Sequence, residues 1–181
     1  ECLGPKATYV CSDLSDPKAP AALVQGAMQS FGRLDGVVNN AGVFPRTTIE
    51  DVSPETFEYI FAVNTRAPLL LCQAAIAQFR RQESPGSIVN IGSINAHCGT
   101  GNLLIYSMSK GALQTMTRNL GDALGTEKIR VNQLNVGWTV TEKEHEVQLA
   151  EGQPENWADN VPSVFAPSGR LLRPEDIAPH A

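Results

Sequence analysis

The sequence predicts an α/β domain in which helices cover both faces of a parallel sheet. Three observations lead there. Short apolar runs at residues 7–11 (ATYVC), 34–38 (LDGVV), 87–91 (SIVNI) and 129–135 (IRVNQLN) alternate with segments of helical periodicity, as in a sheet wound by helices. The run at 34–38 is nearly continuous in its apolar character, as a strand buried on both faces requires. Small and polar residues gather where the runs end, at Asp13, residues 39–42 (NNAG), Ser93 and residues 137–141, and ligands of such sheets bind beyond the carboxyl ends of the strands.

Each element has its own local reason. After the run at 7–11, Asp16 before Pro17 reads as a helix N-cap followed by proline at the first helical position. Apolar residues then recur at Leu23, Val24, Ala27, Met28 and Phe31 until Gly32. Ser53 and Pro54 repeat that start, opening a helix through Phe57, Ile60 and Phe61. Pro68 predicts a bend or restart near Asn64, after which Leu70, Ala74, Ala75 and Phe79 continue a packed face. The Pro85-Gly86 turn leads into the strand at 87–91. A helix carrying Tyr106 and Lys110 then packs through Ala112, Leu113, Met116 and Leu120 and stops near Gly125.

From 142 to 168 the pattern weakens into a polar stretch with Gly152, Pro154, Pro162 and Pro167, too long for an ordinary connection, which predicts a mobile lid or substrate loop. Arg173, Pro174, Glu175 and Asp176 start a further helix. No repeat, low-complexity tract or domain boundary interrupts residues 1–181, which read as a single domain.

Composition narrows the function. The net charge is -5, and the clustered Lys and Arg that phosphate backbones require are missing, so nucleic acid is not the expected partner. No apolar run approaching the roughly 18 residues of a membrane span is evident, nor is a signal peptide, and a cytoplasmic setting is expected. Cys2, Cys11, Cys72 and Cys98 form no CxxC pair and no His stands at metal-ligand spacing, so reduced, mostly buried thiols are expected and no metal.

The chemistry concentrates in residues 93–110. Tyr106 and Lys110 lie four apart, hence on one helical face, where an ammonium near a phenol favours the phenolate and brings the Tyr pKa of about 10 towards neutrality. Such a phenol serves as a general acid or base, and a Ser93 hydroxyl would hold the reacting oxygen beside it. Taken alone, the pair reads far more readily as part of a solvated helix face, and the other segments decide. Asn64, at the proline interruption, suits hydrogen bonding better than packing, with a local cap as the other reading.

Together these pieces resemble the short-chain dehydrogenase/reductase family from about residue 7 to residue 178. The motif NNAG stands at 39–42, an adenine-contacting aspartate matches Asp13 in CSDLSD, and a catalytic tetrad maps onto Asn64, Ser93, Tyr106 and Lys110. The segment after the last strand matches residues 136–141 (VGWTVT), with Val136 where the family has proline. The resemblance implies a Rossmann-like doubly wound sheet of three layers. It also implies hydride transfer between NAD or NADP and a secondary alcohol or ketone, with the cofactor carrying the hydride.

By that resemblance Tyr106 is the acid/base, Lys110 lowers its pKa and binds the nicotinamide ribose, Ser93 binds the substrate oxygen, and Asn64 anchors a water in a proton relay. Asp13, Leu14, Asn40, Ala41, Gly42, Gly137, Thr139 and Thr141, together with Tyr106 and Lys110, are the implied cofactor contacts. Asn95, His97 and Cys98 follow Ser93 into the implied substrate loop, where Asn and His suit a sugar or polyol, though both equally suit a loop satisfied by backbone and water. His145 and Trp157 are candidates to line the lid, Trp157 more as a packing anchor. A homodimer or homotetramer pairing through two long helices, about residues 64–81 and 106–124, is implied.

The family's glycine-rich pyrophosphate loop has no counterpart, because no GxGxxG occurs in residues 1–181. The chain is therefore expected to be part of a longer enzyme, without the first two strands and the last. Those two strands belong between the runs at 7–11 and 34–38, whose edges are expected to lack partners. Other readings are a sugar-nucleotide epimerase or dehydratase, disfavoured by the NNAG form, and an enoyl reductase, disfavoured by the four-residue Tyr–Lys spacing. A scaffold homologue is disfavoured by the intact tetrad.

Overall fold

The runs at 34–38, 87–91 and 129–135 become strands β1 (Gly36–Asn39), β2 (Gly86–Ser93) and β3 (Ile129–Val136) of one parallel sheet in that order. The computed structural model describes Gly4, residues 6–97 and residues 99–181. Parallel neighbours need long crossovers, and helices supply them. Helices α2 (Pro54–Phe61) and α3 (Ala67–Arg81) connect β1 to β2, and α4 (Leu104–Ala123) connects β2 to β3. The register sets Asn39 opposite Asn90 and Ser93 opposite Val136, so the polar strand ends form one rim. This is the Rossmann-like α/β class expected from the sequence.

Helix α1 (Ala19–Phe31) starts later than the Asp16-Pro17 signal implied. The Asp16 carboxylate closes a turn by accepting the Lys18 amide at 2.9 Å, and Pro20 occupies the first helical turn instead. Gly32 ends the helix in the left-handed region at φ 74°, as a glycine allows without strain. Ser53 caps α2 as expected, its Oγ accepting the Thr56 amide at 3.2 Å. Between α2 and α3 the chain widens into a π-helical turn, Ala62–Arg66, which includes Asn64.

The core lies where α3 and α4 meet the sheet. Cys72, Ala75, Ile76 and Phe79 of α3 pack with Ile88, Leu124, Ile129 and Val131, and Met116 and Leu120 of α4 close the layer. A Cβ on Gly86 would fall 2.3 Å from the Phe79 ring, so only glycine admits the ring at this strand start. By length and composition the run Pro54–Arg81 is apolar enough to cross a membrane, which the sequence reading did not anticipate. Half of its most apolar window is buried inside the fold, as in a core helix.

Three further expectations change. Residues 7–11 form no strand: a strand needs a partner for its backbone groups, and β1–β3 make up the only sheet among the described residues. Tyr9 is 90% and Val10 54% exposed there, in keeping with edges that lack partners. The stretch 142–168 is ordered, with α5 (Glu142–Ala150), a 3₁₀ turn at Trp157–Asn160 and a small core of Trp157, Ala166 and Leu171 packed by Trp138, Val140, Ala158 and Val161. Helix α6 (Pro174–Ile177) follows as expected. Of the cysteines, Cys72 is buried but Cys11 is exposed, and Cys2 and Cys98 lie outside the described residues.

Candidate active site

Strand β2 delivers Ser93 to the rim, buried, with its Oγ accepting the Asn95 amide at 3.1 Å as the chain turns into a 3₁₀ segment at Ile94–Ala96. Helix α4 then presents Tyr106 and Lys110 on one face, with the Lys110 Nζ 5.8 Å from the centroid of the Tyr106 ring. Lys110 is itself buried, and its Nζ donates to the Ile91 carbonyl at 2.7 Å. One turn of chemistry thus sits over the end of β2, anchored to that strand's backbone.

Asn64 reaches the same place from the π turn and is 1% exposed. Its Oδ1 accepts the Val43 amide at 2.8 Å, while its Nδ2 donates to the Val43 carbonyl at 2.8 Å and to the Ser109 Oγ at 3.0 Å. The side-chain donors are therefore committed to fixing the loop after β1 against α4. Gly42 in that loop has its Cβ direction 3.5 Å from Asn64 Oδ1 and 3.6 Å from Lys110 Nζ. Beneath the rim, Asn39 Nδ2 donates to Asn90 Oδ1 and Asn90 Nδ2 donates to Thr117 Oγ1, both at 2.8 Å, locking β1, β2 and α4 together. Asn64, Ser93, Tyr106 and Lys110 are thus brought together by three separate elements.

The electrostatics depart from the expectation. Burial pushes the Tyr106 phenol above its usual pKa; the Ser93 hydroxyl pulls it down and the Glu144 carboxylate pushes it further up. Lys110 was expected to depress that phenol. Instead burial lowers Lys110 itself to about 8, and loss of water is the largest influence on the phenol.

The remaining candidates are more dispersed. The Asp13 carboxylate accepts the Ser15 amide at 2.8 Å, which lowers its pKa, and Arg66 of the π turn donates to the Ser15 carbonyl, tying Asp13 and Leu14 to the Asn64 segment. Asn40, Ala41 and Gly42 are exposed at the end of β1. After β3, Thr139 Oγ1 donates to the Gly137 carbonyl at 3.1 Å, and the Val140 amide donates to the Leu172 carbonyl at 2.8 Å. Thr141 Oγ1 accepts the Glu144 amide at 3.1 Å as the N-cap of α5, a use the sequence reading did not give it. His97 is engaged by Gln114 and Asn135, each 3.2 Å from Nε2, so its ring is held by α4 and the end of β3. Trp157 is a packing anchor, donating to His145 Nδ1 at 3.0 Å and stacking on Trp138 with ring centroids 5.5 Å apart.

Sequence reasoning missed four side chains. The Phe44 ring meets Tyr106 edge-on, centroids 6.3 Å apart. Arg46, two residues on, spans to α5 and its C-terminal end, with Nε 2.8 Å from Glu151 and Nη2 3.8 Å from Glu144. Glu144 and Gln148 form the buried face of α5. Residues 43–46 adjoin the NNAG motif, which was the available signal. The lid residues offered none, because their buried face is polar.

The family model described as Enoyl-(Acyl carrier protein) reductase matches residues 2–181. An uncharacterised oxidoreductase of Methylorubrum extorquens is 39% identical over 175 residues, which cover 97% of this chain and 68% of the relative. The chain belongs to the short-chain dehydrogenase/reductase family. An L-rhamnose 1-dehydrogenase (NAD(P)(+)) of Sphingomonas sp. is 33% identical over 178 residues, 98% of this chain and 68% of that protein. Among solved structures, a 3-ketoacyl-(acyl-carrier-protein) reductase from Brucella melitensis complexed with NADH superposes with a TM-score of 0.81 at 31% identity, covering 97% of this chain and 69% of that one.

As a member of the short-chain dehydrogenase/reductase family the chain is a nicotinamide-dependent oxidoreductase acting on CH–OH groups. The fit of such a cofactor rests on the rim itself. Lys110 Nζ makes one hydrogen bond and has two N–H groups to spare, beside the side-chain-free Gly42 and the exposed Asn40 and Ala41. Those residues suit the ribose and nicotinamide end of a dinucleotide. Residues 1–181 contain no glycine-rich loop to cradle the pyrophosphate.

Proposed function

We propose that Tyr106 is the proton-transferring residue of an NAD(P)-dependent dehydrogenase whose substrate is a secondary alcohol or the matching ketone, a sugar or polyol among them. The observation that carries this reading is the phenol set between the Ser93 hydroxyl and the Lys110 ammonium at the end of β2. The bound nicotinamide supplies or takes up the hydride. Ser93 donates to the substrate oxygen and holds it against the phenol. Tyr106, kept neutral by burial, has a proton ready for the alkoxide that forms when a carbonyl is reduced, and it takes that proton back in the oxidative direction. Lys110 holds the ribose through its free N–H groups.

Asn64 keeps the loop at Val43 in place and offers the second lone pair of Oδ1 to a relay water. Asn40, Ala41, Gly42, Gly137, Thr139 and Thr141 line the cofactor's nicotinamide side, with Asp13 and Leu14 towards adenine. Asn95 and His97 flank the substrate side, and residues 142–168 form the substrate lid. The similarity to an L-rhamnose 1-dehydrogenase supports a hydroxylated substrate. The four-residue Tyr–Lys spacing supports carbonyl over enoyl reduction, although the matching family model carries an enoyl reductase description.

The test is a nicotinamide absorbance assay of the full-length protein over sugars, polyols, ketones and a 2-enoyl thioester. Tyr106→Phe is expected to cut turnover by about 10²–10⁴-fold, with cofactor binding retained in a calorimetric titration. Activity that survives this change overturns the assignment of the acid/base. Consumption of the thioester alone favours an enoyl reductase, and no turnover with any substrate favours a binding or scaffold role.

We also propose a homodimer or homotetramer paired through α3 and α4. Leu69 and Met108, both about half exposed on those helices, support it. A monomer in sedimentation of the full-length protein removes this part of the reading.

A further inference from the structure

Lys110 and Glu144 are the two buried charged residues among the described residues. Lys110 has a place in the chemistry above, and Glu144 has none. The Glu144 side chain is about nine-tenths buried, and a carboxylate so placed needs donors on both oxygens. Its Oε1 has them: Trp138 Nε1 and Gln148 Nε2 each donate at 2.9 Å, and Arg46 Nη2 stands 3.8 Å away. Its Oε2 accepts from no described residue. It is not sealed in either, because Ser107 Oγ alone is both fully enclosed and unpartnered among the described side chains.

The surroundings put this carboxylate near the reacting phenol. Trp138 follows Gly137 at the end of β3, beside the Ser93 end of β2, and Arg46 follows Phe44, whose ring meets Tyr106. The Glu144 charge is felt at the Tyr106 phenol. An acceptor with an unused lone pair near the reacting carbon suits a donor on the substrate, and an alcohol group beside that carbon is such a donor.

We propose that Glu144 Oε2 accepts a hydrogen bond from a substrate hydroxyl neighbouring the carbon held at Tyr106, so that Glu144 selects polyhydroxylated substrates over monofunctional alcohols. This deepens the proposed function and rests on it. Trp138 and Gln148 are the positioning residues, occupying Oε1 and leaving Oε2 for the substrate.

The experiment compares kcat and KM of the full-length protein for a hexitol or aldose with those for a secondary monoalcohol, before and after Glu144→Gln. The unaltered protein should favour the polyol by at least about tenfold in kcat/KM. Glu144→Gln should erase about 10- to 100-fold of that preference, chiefly through KM, as loss of a hydrogen bond to a charged group predicts. Monoalcohol kinetics should change less, and whatever change the two substrates share reports the loss of the Glu144 charge near the Tyr106 phenol. Glu144→Asp keeps the charge and withdraws the oxygen by one methylene; it should give a smaller loss, and it carries the comparison if Glu144→Gln does not fold. Equal losses for both substrate classes, or no preference in the unaltered protein, overturn the inference and leave the dehydrogenase standing. No turnover of any alcohol overturns the dehydrogenase reading itself.

Discussion

The two cores of this molecule are built from different materials. Beneath the sheet, α3 and α4 bury a continuous aliphatic layer around Phe79 and Ile88, and the polar groups nearby are paired across elements by Asn39, Asn90 and Thr117. In the lid, three buried residues suffice, stiffened by the Trp138–Trp157 stack and by Phe165 standing edge-on to Trp138. Its helix turns Glu144 and Gln148 inward, and Arg46 clamps it to the loop after β1. A layer that large makes the sheet the cooperative unit, whereas the region around Trp157, with few apolar contacts, is expected to open at a lower free energy. Stability belongs to the first region, and the second carries the buried Glu144 to which we assign selectivity.

Substitutions can break that contrast. Phe79→Ala removes the largest fully buried side chain and should cost about 3–5 kcal/mol in denaturant unfolding; a loss below about 1 kcal/mol would mean that the sheet core is not the main source of stability. Trp157→Ala should raise deuterium uptake across α5 and residues 151–172 while moving the main transition far less than Phe79→Ala does. Equal shifts would make the two cores one unit. Between them in kind lies a pH effect. Lys110 titrates near 8 when folded against 10.5 when free, so the destabilisation from its buried charge is complete below about pH 8 and fades as pH rises towards 10.5.

Above pH 10 the trend reverses, since Tyr106, raised in the fold, ionises first in the unfolded chain. Lys110→Met should flatten the rise between pH 8 and 10 in melting curves taken across that window, and an unchanged profile would assign the rise to another group. Smallest of all, Glu151→Gln removes the partly exposed half of the Arg46 clamp and should cost about 0–1 kcal/mol. A larger loss would show the clamp, rather than the aromatic stack, to be what holds the lid down.

What the sequence disclosed follows the same division. Ser53-Pro54, Gly32 and SIVNI are local signals whose meaning does not depend on distant partners, and helix starts, stops and strands fell close to them. ATYVC misled because strand character is completed by a neighbour, and this run has none in the sheet. The helix EKEHEVQLA was missed because periodicity methods look for a buried apolar stripe, while this helix buries Glu144 and Gln148. At the site, Ser93, Tyr106 and Lys110 were legible from their spacing along β2 and α4. Arg46, Phe44 and Glu144 were not, since they meet only through folding across about 100 residues, and no short-range spacing records that. The direction of the Tyr106 shift was misread for a related reason: the cation is visible in the sequence, but the exclusion of water is not.

The widened turn at Ala62–Arg66 has a consequence for how this chain tolerates change. A π turn holds a residue beyond what α geometry would accommodate, leaving the helices on either side out of phase by about 100°. Deleting one residue there would put Pro68 inside a continuous α-helix, where its missing N–H and its ring cost about 3 kcal/mol. It would also swing the Asn64 amide off Val43 and Ser109. A change of length at this one position therefore disturbs both the helix at Pro68 and the aim of Asn64.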